Sequence, residues 1–303
     1  MRLIGLVLTL GLILAPLVAE AQQPGKIARI GFLHPGTPPN TSAEVFRQTL
    51  RDLGYVEGRS IAIEFRWAEG RMDPLSPLAA ELIALKTIPI IMTVIADPVA
   101  DGLVQSLRHP GGNVTGTTLI SPELVGKRIE LLKEAVPRLL RLAVLWNPAN
   151  PTHATALREG QTTAKALGLQ TVPVPVQAAT DVDGAFATMA RERVTALFVL
   201  DDPILFYERQ RIADLALRNR LPVASGINGY ADAGAFLTYG ARLSDPYYRA
   251  AFFVDKIIKG AKPADLPVEQ PTRFDLVINL KTAKALGLTI PQPLLLRADH
   301  VIQ

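Results

Sequence analysis

Four times in this chain of 303 residues an apolar run ends in a polar residue that precedes proline. The pairs are His34-Pro35, Asp97-Pro98, Asn147-Pro148 and, one position further past its run, Asp202-Pro203. On an open parallel sheet, ligands lie outside the carboxyl ends of the strands, so polar groups placed there line a cleft. A carboxylate such as Asp97 or Asp202 would pair with an ammonium group. Free N–H groups at the start of a following helix would hold a carboxylate. The pattern has a second reading. Asp or Asn before proline caps a helix, with proline at the first helical position, where its missing N–H is no loss. The sequence leaves both readings open.

Other chemistry has little support. There is no cysteine, which excludes disulfides, thiolate nucleophiles and Cys zinc sites. His34, His109, His153 and His300 are scattered and never at metal-ligand spacing, which gives them capping or surface roles and predicts no metal site. HPGTPPN stands where a G-x-G-x-x-G loop would follow the first predicted strand, and no Walker-type loop occurs. Ser225-Gly226 lacks the glycine spacing of a nucleophile elbow. The sequence therefore predicts neither an enzyme nor a cofactor. Asn113-Val114-Thr115 matches a glycosylation acceptor but falls in a predicted strand. Trp146 and Tyr239 lie near strand ends, where they would either stack on a ligand or pack in the core. The net charge is +4, from 32 basic and 28 acidic residues, without a run of like charges or basic-aromatic interleaving. That distribution argues against a nucleic-acid surface.

The elements that must position these residues follow a regular alternation. ARIGFL (28–33), IAIEFR (61–66), IPIIMTVI (88–95) and NVTGTTL (113–119) read as strands. Helical patterns separate them at 42–55, 74–86 and about 98–108, and a longer one follows at about 123–136. The rhythm restarts with strands at 142–146, 169–174, 196–200, 221–225 and 235–240, with helices at 152–167, 183–193 and 204–219 between them. Such alternation predicts an α/β protein with parallel sheets covered on both faces, here as two doubly wound, Rossmann-like lobes. The tail departs from the rhythm: a proline-rich connector (263–271), a strand at 274–280, a short helix at 281–288 and a final segment at 294–302.

The first residues read as an export signal, MRLIGLVLTLGLILAPLVAEA. Arg2 gives a positive start, Leu3 to Val18 an apolar run, and Ala19-Glu20-Ala21 the small-x-small site for cleavage before Gln22. The run is short for a membrane span and has no basic flank after it. The expected product is a protein of the periplasm, with residues 1–21 removed.

Several long segments resemble one family. They are FRQTLRDLGYVEGRSIAIEFRWAEGR (46–71), DPVADGLVQSLRHPGGNVTG (97–116), ELVGKRIELLKEAVP (123–137), AVLWNPANP (143–151) and, most closely, the stretch from Val254 to Ile302. In these the chain resembles the substrate-binding proteins of ABC transporters of the tryptophan/tyrosine type, with the type I periplasmic-binding-protein fold. The resemblance implies two lobes joined by crossovers: residues 22–120 with about 241–270, and 121–240 with about 271–303. It also implies a small ligand between them, an amino acid or related small carboxylate, delivered by a monomer to an ABC permease driven by an ATPase subunit. A periplasmic ligand sensor signalling to a partner is the alternative on the same fold. By strand topology and this resemblance, the ligand-binding residues would be Pro35, Gly36, Thr37 and Asp97 from the first lobe. Thr117 and Thr118 would add to them near the first crossover, and Asn147, Asp202, Asn228 and Tyr239 from the second lobe.

The chain departs from the family layout at one place. Where members carry a further strand, a Gly-Thr-Pro turn and a helix, Lys86 runs directly into Thr87-Ile88-Pro89-Ile90. About twenty residues, one βα unit, are missing by this reading. Four predicted strands in the first lobe against five in the second agree with it. Either the first sheet closes up by a register change or the lobe is damaged, and ligand binding is expected to be weaker or altered.

Overall fold

The computed structural model describes residues 27–34, 38, 41–67, 75–84, 88–95, 97–99, 102–118, 124–242 and 244–303. The proposed leader, Pro35, Gly36, Thr37 and the Lys86-Thr87 junction lie outside the described residues. The chain forms an α/β fold of two sheets. The first has the order β2-β1-β3-β4, from β1 (Ala28–His34), β2 (Ile61–Trp67), β3 (Ile90–Ile95) and β4 (Val114–Thr118). All of its pairings are parallel. The helices α1 (Thr41–Asp52) and α2 (Leu75–Ala84) come from the same part of the chain.

After β4 come α3 (Val125–Ala135), β5 (Arg141–Trp146), α4 (His153–Ala166), β6 (Gln170–Pro175), α5 (Val182–Arg191) and β7 (Ala196–Val199). Then follow α6 (Pro203–Tyr207), α7 (Arg209–Arg218), β8 (Val223–Ser225), α8 (Gly229–Asp232) and β9 (Leu237–Gly240). The chain next forms α9 (Ser244–Ile258), β10 (Asp275–Asn279), α10 (Leu280–Leu286), α11 (Gln292–Leu295) and β11 (His300–Ile302). The second sheet has the order β11-β10-β9-β8-β7-β5-β6. Its one antiparallel pairing is β9 with β10, where the chain re-enters the sheet.

Strands buried on both faces explain the continuous apolar runs. In β7, Ala196 and Phe198 join the core on one face, and Leu197 and Val199 the core on the other. In β3, Ile91 packs with Phe32, Phe46 and Phe253, whereas Ile90 and Met92 pack with Leu33 and Leu82. The late helix α9 belongs to the first sheet's core, through Tyr247, Ala250, Ala251, Phe253 and Val254.

Three differences from the sequence reading have local causes. The helix expected at about 98–108 is absent among the described residues, where 102–113 run as turns. Gly102 and Gly111 take φ +69° and +77°, and Pro110 stands between them and any helical continuation. The helix expected at 204–219 breaks into α6 and α7 at Glu208. The final segment divides into α11 and β11, the latter pairing with β10. The proline-rich connector runs along the outer edge of β4: Thr118 N–H donates to Glu269 O at 3.0 Å, and Glu269 N–H to Gly116 O at 2.9 Å. Prolines suit such an edge, because no further strand asks for their N–H groups.

Where β3 meets its neighbours the first sheet is irregular. Its pairing with β1 covers Gly31 with Ile90, Phe32 with Ile91 and Leu33 with Met92. Its pairing with β4 shifts register between Met92 and Ile95. Val94 there has φ +61°, a conformation that β-branched residues avoid. Gly116 opposite has φ +136°, and a Cβ on it would stand 2.1 Å from the Met92 carbonyl oxygen.

Candidate functional site

The strand ends of the second sheet carry a closed polar network. Its centre is an ion pair between Arg128, in the first turns of α3, and Asp201, just past β7, with Nη1 and Oδ2 3.0 Å apart. Both side chains are buried, 3% and 7% exposed, so each depends on the other for its charge. Arg128 Nε donates to the Tyr239 carbonyl at 2.8 Å, and Asp201 Oδ1 accepts from Gly226 N at 3.1 Å. Space for the guanidinium comes from glycine. A Cβ at Gly226 would lie 2.1 Å from Arg128 Cζ, and one at Gly240 would lie 1.7 Å from the Gly226 oxygen. Ser225-Gly226 is thus the place where the backbone makes room for an arginine.

Asp202 holds the neighbouring part. Its Oδ1 accepts from Ile204 N at 2.8 Å and Leu205 N at 3.2 Å, which caps α6 with Pro203 behind it. Its Oδ2 accepts from Asn147 Nδ2 at 3.2 Å and Asn150 Nδ2 at 3.0 Å. With four N–H donors on it, the carboxylate has no acceptor left for a ligand ammonium. The capping reading of Asp-Pro therefore holds at Asp202, and Asn147 shares its structural role. Asn147 is fully buried, and its Oδ1 closes the turn onto Ala149 N at 2.9 Å. Asn150 repeats the device onto Thr152 N at 3.2 Å, so the Asn-Pro-x-Asn-Pro stretch forms two successive side-chain-closed turns.

His153 completes the network from the first position of α4. It is 2% exposed. Asn147 N–H donates to its Nδ1 at 2.8 Å, which leaves the ring proton on Nε2, 3.1 Å from the Asp201 carbonyl. Burial holds its pKa below the usual imidazole range, against the pull of the nearby Asp201 backbone, Asp202 and Asp201.

The remaining expected residues fall into other surroundings. Asp97 is half-buried and accepts from Val99 N at 3.2 Å, a turn of its own. Thr117 Oγ1 donates to Pro246 O at 3.5 Å, and Thr118 Oγ1 donates to Ile95 O. Both threonines line a cavity of about 540 Å³ between the crossover segments, with Asp245, Arg249, Glu269 and Arg273. Arg249 closes one side of it with a two-pronged bond to Glu269, at 2.7 and 2.6 Å. Asn228 accepts from Thr238 Oγ1 at 3.0 Å, and among the described residues its Nδ2 has no protein partner. Tyr239 is half-buried, its ring 6.1 Å from that of Phe274, and its hydroxyl likewise has no partner among the described residues. The structure thus gathers Asn147 and Asp202 into one network, Thr117 and Thr118 into one cavity, and ties Tyr239 to the network through its carbonyl.

At the first sheet β1 and β2 end in rings. His34 and Trp67, register partners in β1 and β2, have ring centroids 4.8 Å apart, and Tyr247 of α9 stacks on His34 at 5.5 Å. Arg128, Asn150, His153 and Asp201 are the residues that sequence reasoning missed. The doubled Asn-Pro and the doubled Asp201-Asp202 were the available signals, since a single residue of each would have sufficed for one cap. Among the described residues no group of three His, Cys, Asp or Glu side chains could hold a metal ion, and no helix is long and apolar enough to cross a membrane.

Comparison with known proteins gives a consistent answer. A "Tyrosine-binding protein" of Clostridioides difficile is 26% identical, with 80% of this chain and 75% of that protein covered. A conserved domain protein from Vibrio cholerae, 26% identical, overlays with a TM-score of 0.81 over 91% of this chain and all of that one. An ABC domain from Streptococcus pneumonia in complex with L-Trp, 24% identical at the same coverage, gives 0.80. A ligand-free, open substrate binding protein with adhesive properties from Clostridium difficile, also 24% identical at that coverage, gives 0.64. The two-lobed arrangement of the type I periplasmic binding proteins is therefore the fold of this chain. Residues 74–302 match the sequence model of the ABC transporter substrate binding protein, and the chain belongs to that family.

Proposed function

We propose that this chain is an exported receptor that holds a small amino-acid-like ligand between its lobes and passes it to an ABC permease with its ATPase subunit. The observation that carries the reading is the contrast at the second lobe's strand ends. The charged groups there are paired with one another, while among the described residues the Asn228 Nδ2 and the Tyr239 hydroxyl have no protein partner. Open neutral donors beside a saturated wall suit a zwitterion, which brings both of its own charges. Relatives support the ligand class, through a tyrosine-binding protein and an L-Trp complex. The chain also overlays better on the L-Trp complex than on the ligand-free, open relative, at equal identity and coverage.

In this reading the ligand meets Pro35, Gly36, Thr37 and Asp97 on the first lobe, Thr117 and Thr118 at the crossovers, and Asn228 and Tyr239 on the second lobe. Asn147 and Asp202 hold the wall behind the ligand. The lobes are residues 22–120 with about 241–270, and 121–240 with about 271–303. The packing of α9 on the first sheet and the entry of β10 and β11 into the second support these bounds. The leader 1–21 is cleaved before Gln22, and the protein works in the periplasm as a monomer.

Titration calorimetry of the mature chain against L-tyrosine, L-tryptophan and small carboxylates tests the proposal. Saturable binding is expected, reduced at least about tenfold in Asn228→Ala or Tyr239→Ala with the unfolding temperature nearly unchanged. No binding by any of these compounds would sink the ligand class. The short first lobe is expected to weaken capture, and a complex of about micromolar affinity with either aromatic amino acid would refute that part alone.

A further inference from the structure

The geometry points to His153 as a positioning residue. Its neutral ring braces the turn from Asn147 to Asn150 against the strand end at Asp201-Asp202, and taking up a proton releases that brace and weakens ligand capture. The inference rests on the ligand-binding reading above.

The argument starts from the two ring nitrogens. Nδ1 accepts the Asn147 N–H at 2.8 Å, and Nε2 reaches the Asp201 carbonyl at 3.1 Å. One bond therefore ends on the strand end after β5 and the other on the strand end after β7. Those strands are paired neighbours, so the ring spans their two loops as a fixed-length strut. The imidazolium is a donor at both nitrogens. It would set an N–H of the ring against the Asn147 N–H, and the buried amide would lose its acceptor.

Asn147 cannot move alone. Its side chain, with that of Asn150, satisfies Asp202, and Asp202 caps α6. Asp201 in turn holds Arg128 and Gly226, and Arg128 holds the Tyr239 carbonyl. A displaced Asn147 thus disturbs the wall on which Asn228 and Tyr239 are mounted.

The charged surroundings oppose one another. Asp201 and Asp202 face the ring and favour its cation, while Arg128 already neutralises Asp201. Tyr230 of α8 lies under the influence of the same two carboxylates, with Glu208 and Arg209 of the α6–α7 junction beyond it. Burial outweighs the carboxylates and lowers the histidine's pKa. Because the folded pKa is lowered, the stabilisation is complete above the unfolded value of about 6.5 and is lost as pH falls below it.

The test is calorimetric titration with L-tyrosine and L-tryptophan between about pH 7.5 and about pH 4.5, on the full mature chain. For the wild type, Kd should rise about tenfold per pH unit once the ring takes up its proton. His153→Asn keeps an acceptor for the Asn147 N–H, loses the donor to the Asp201 carbonyl and cannot titrate; it should bind more weakly than the wild type at neutral pH and lose this pH dependence. His153→Gln can place an N–H at the Nε2 position for the Asp201 carbonyl but no acceptor at the Nδ1 position, and should bind at least about tenfold more weakly than the wild type at neutral pH. A wild-type pH profile in His153→Asn, or wild-type affinity in folded His153→Gln, overturns the inference. If neither amino acid binds the wild type at any pH, the ligand reading fails instead. The backbone amide signal of Asn147, followed by NMR in ligand-free protein, then decides the brace: a shift tracking His153 protonation supports it, and an unmoved signal overturns it.

Discussion

The two sheets end differently where the chain crosses between them. The second ends in groups that satisfy each other: Arg128 with Asp201, Asp202 with Asn147 and Asn150, and His153 between Asn147 and Asp201. The first ends in stacked rings and bent backbone: His34 against Trp67 and Tyr247, Val94 and Gly116 at positive φ, and a register shift between Met92 and Ile95. Buried paired charges permit few alternative arrangements, because every alternative leaves a charge unpaired in a low dielectric. Positive φ at a β-branched residue works the other way, holding energy that a small backbone change can release. The strand ends of the second sheet are built as a fixed wall, and those of the first sheet as one that carries strain.

The largest blow to that contrast is Asp201→Ala. It leaves the Arg128 guanidinium buried without its carboxylate and the Gly226 N–H without its acceptor. A loss of about 3–5 kcal/mol in unfolding free energy is expected, read by denaturant titration. A loss below about 1 kcal/mol would mean that the wall is not locked by this pair.

Gly226→Ala comes next, since the new methyl would stand 2.1 Å from Arg128 Cζ and 2.4 Å from Asp201 Oδ2. Overpacking should cost about 1–3 kcal/mol. The cost should shrink in an Arg128→Met background, where the obstructing guanidinium is gone. Equal costs in the two backgrounds would place the obstruction in the backbone instead. At the first sheet, Gly116→Ala meets the Met92 carbonyl at 2.1 Å in a conformation foreign to alanine, and about 1–3 kcal/mol is expected there too. Hydrogen exchange separates the two glycines: the Gly116 change should speed exchange in β3 and β4, and leave β7 and β8 protected.

Much of this architecture was legible in the sequence, because apolar runs and strand-helix alternation are written locally. The β1, β5, β7, β8 and β9 strands are runs whose residues bury on both faces, which needs no knowledge of partners, and the edge strands β2 and β6 are more open. No helix forms at about 98–108 among the described residues, because the left-handed turn at Gly102 and the turn at Pro110-Gly111 override the apolar spacing between them. The site was legible to a lesser degree. Asp202 and Asn147 stood out as Asp-Pro and Asn-Pro, yet nothing local says whether a carboxylate ends on a ligand or on two asparagine side chains. Arg128 was invisible for a related reason. An arginine in an amphipathic helix reads as solvated, and its burial depends on glycines at positions 226 and 240, about a hundred residues away, meeting at one point. Chemistry that depends on long-range juxtaposition is not encoded in any window of sequence.

The finest test of the comparison concerns Val94. At φ +61° a valine is held in a conformation that costs roughly 1–2 kcal/mol, while its side chain packs against the core around Phe32 and Ile91. Val94→Gly removes both the strain and the packing, and adds about 0.5–1 kcal/mol of backbone entropy to be lost on folding. Val94→Ala removes the packing and keeps most of the strain. If the first lobe stores strain here, the glycine variant should be at least as stable as the alanine variant, reversing the order seen at ordinary strand positions. Thermal unfolding of the pair is enough to decide it. An alanine variant more stable than the glycine variant would show Val94 to be relaxed, and the difference between the two walls would then rest on the second lobe's charges alone.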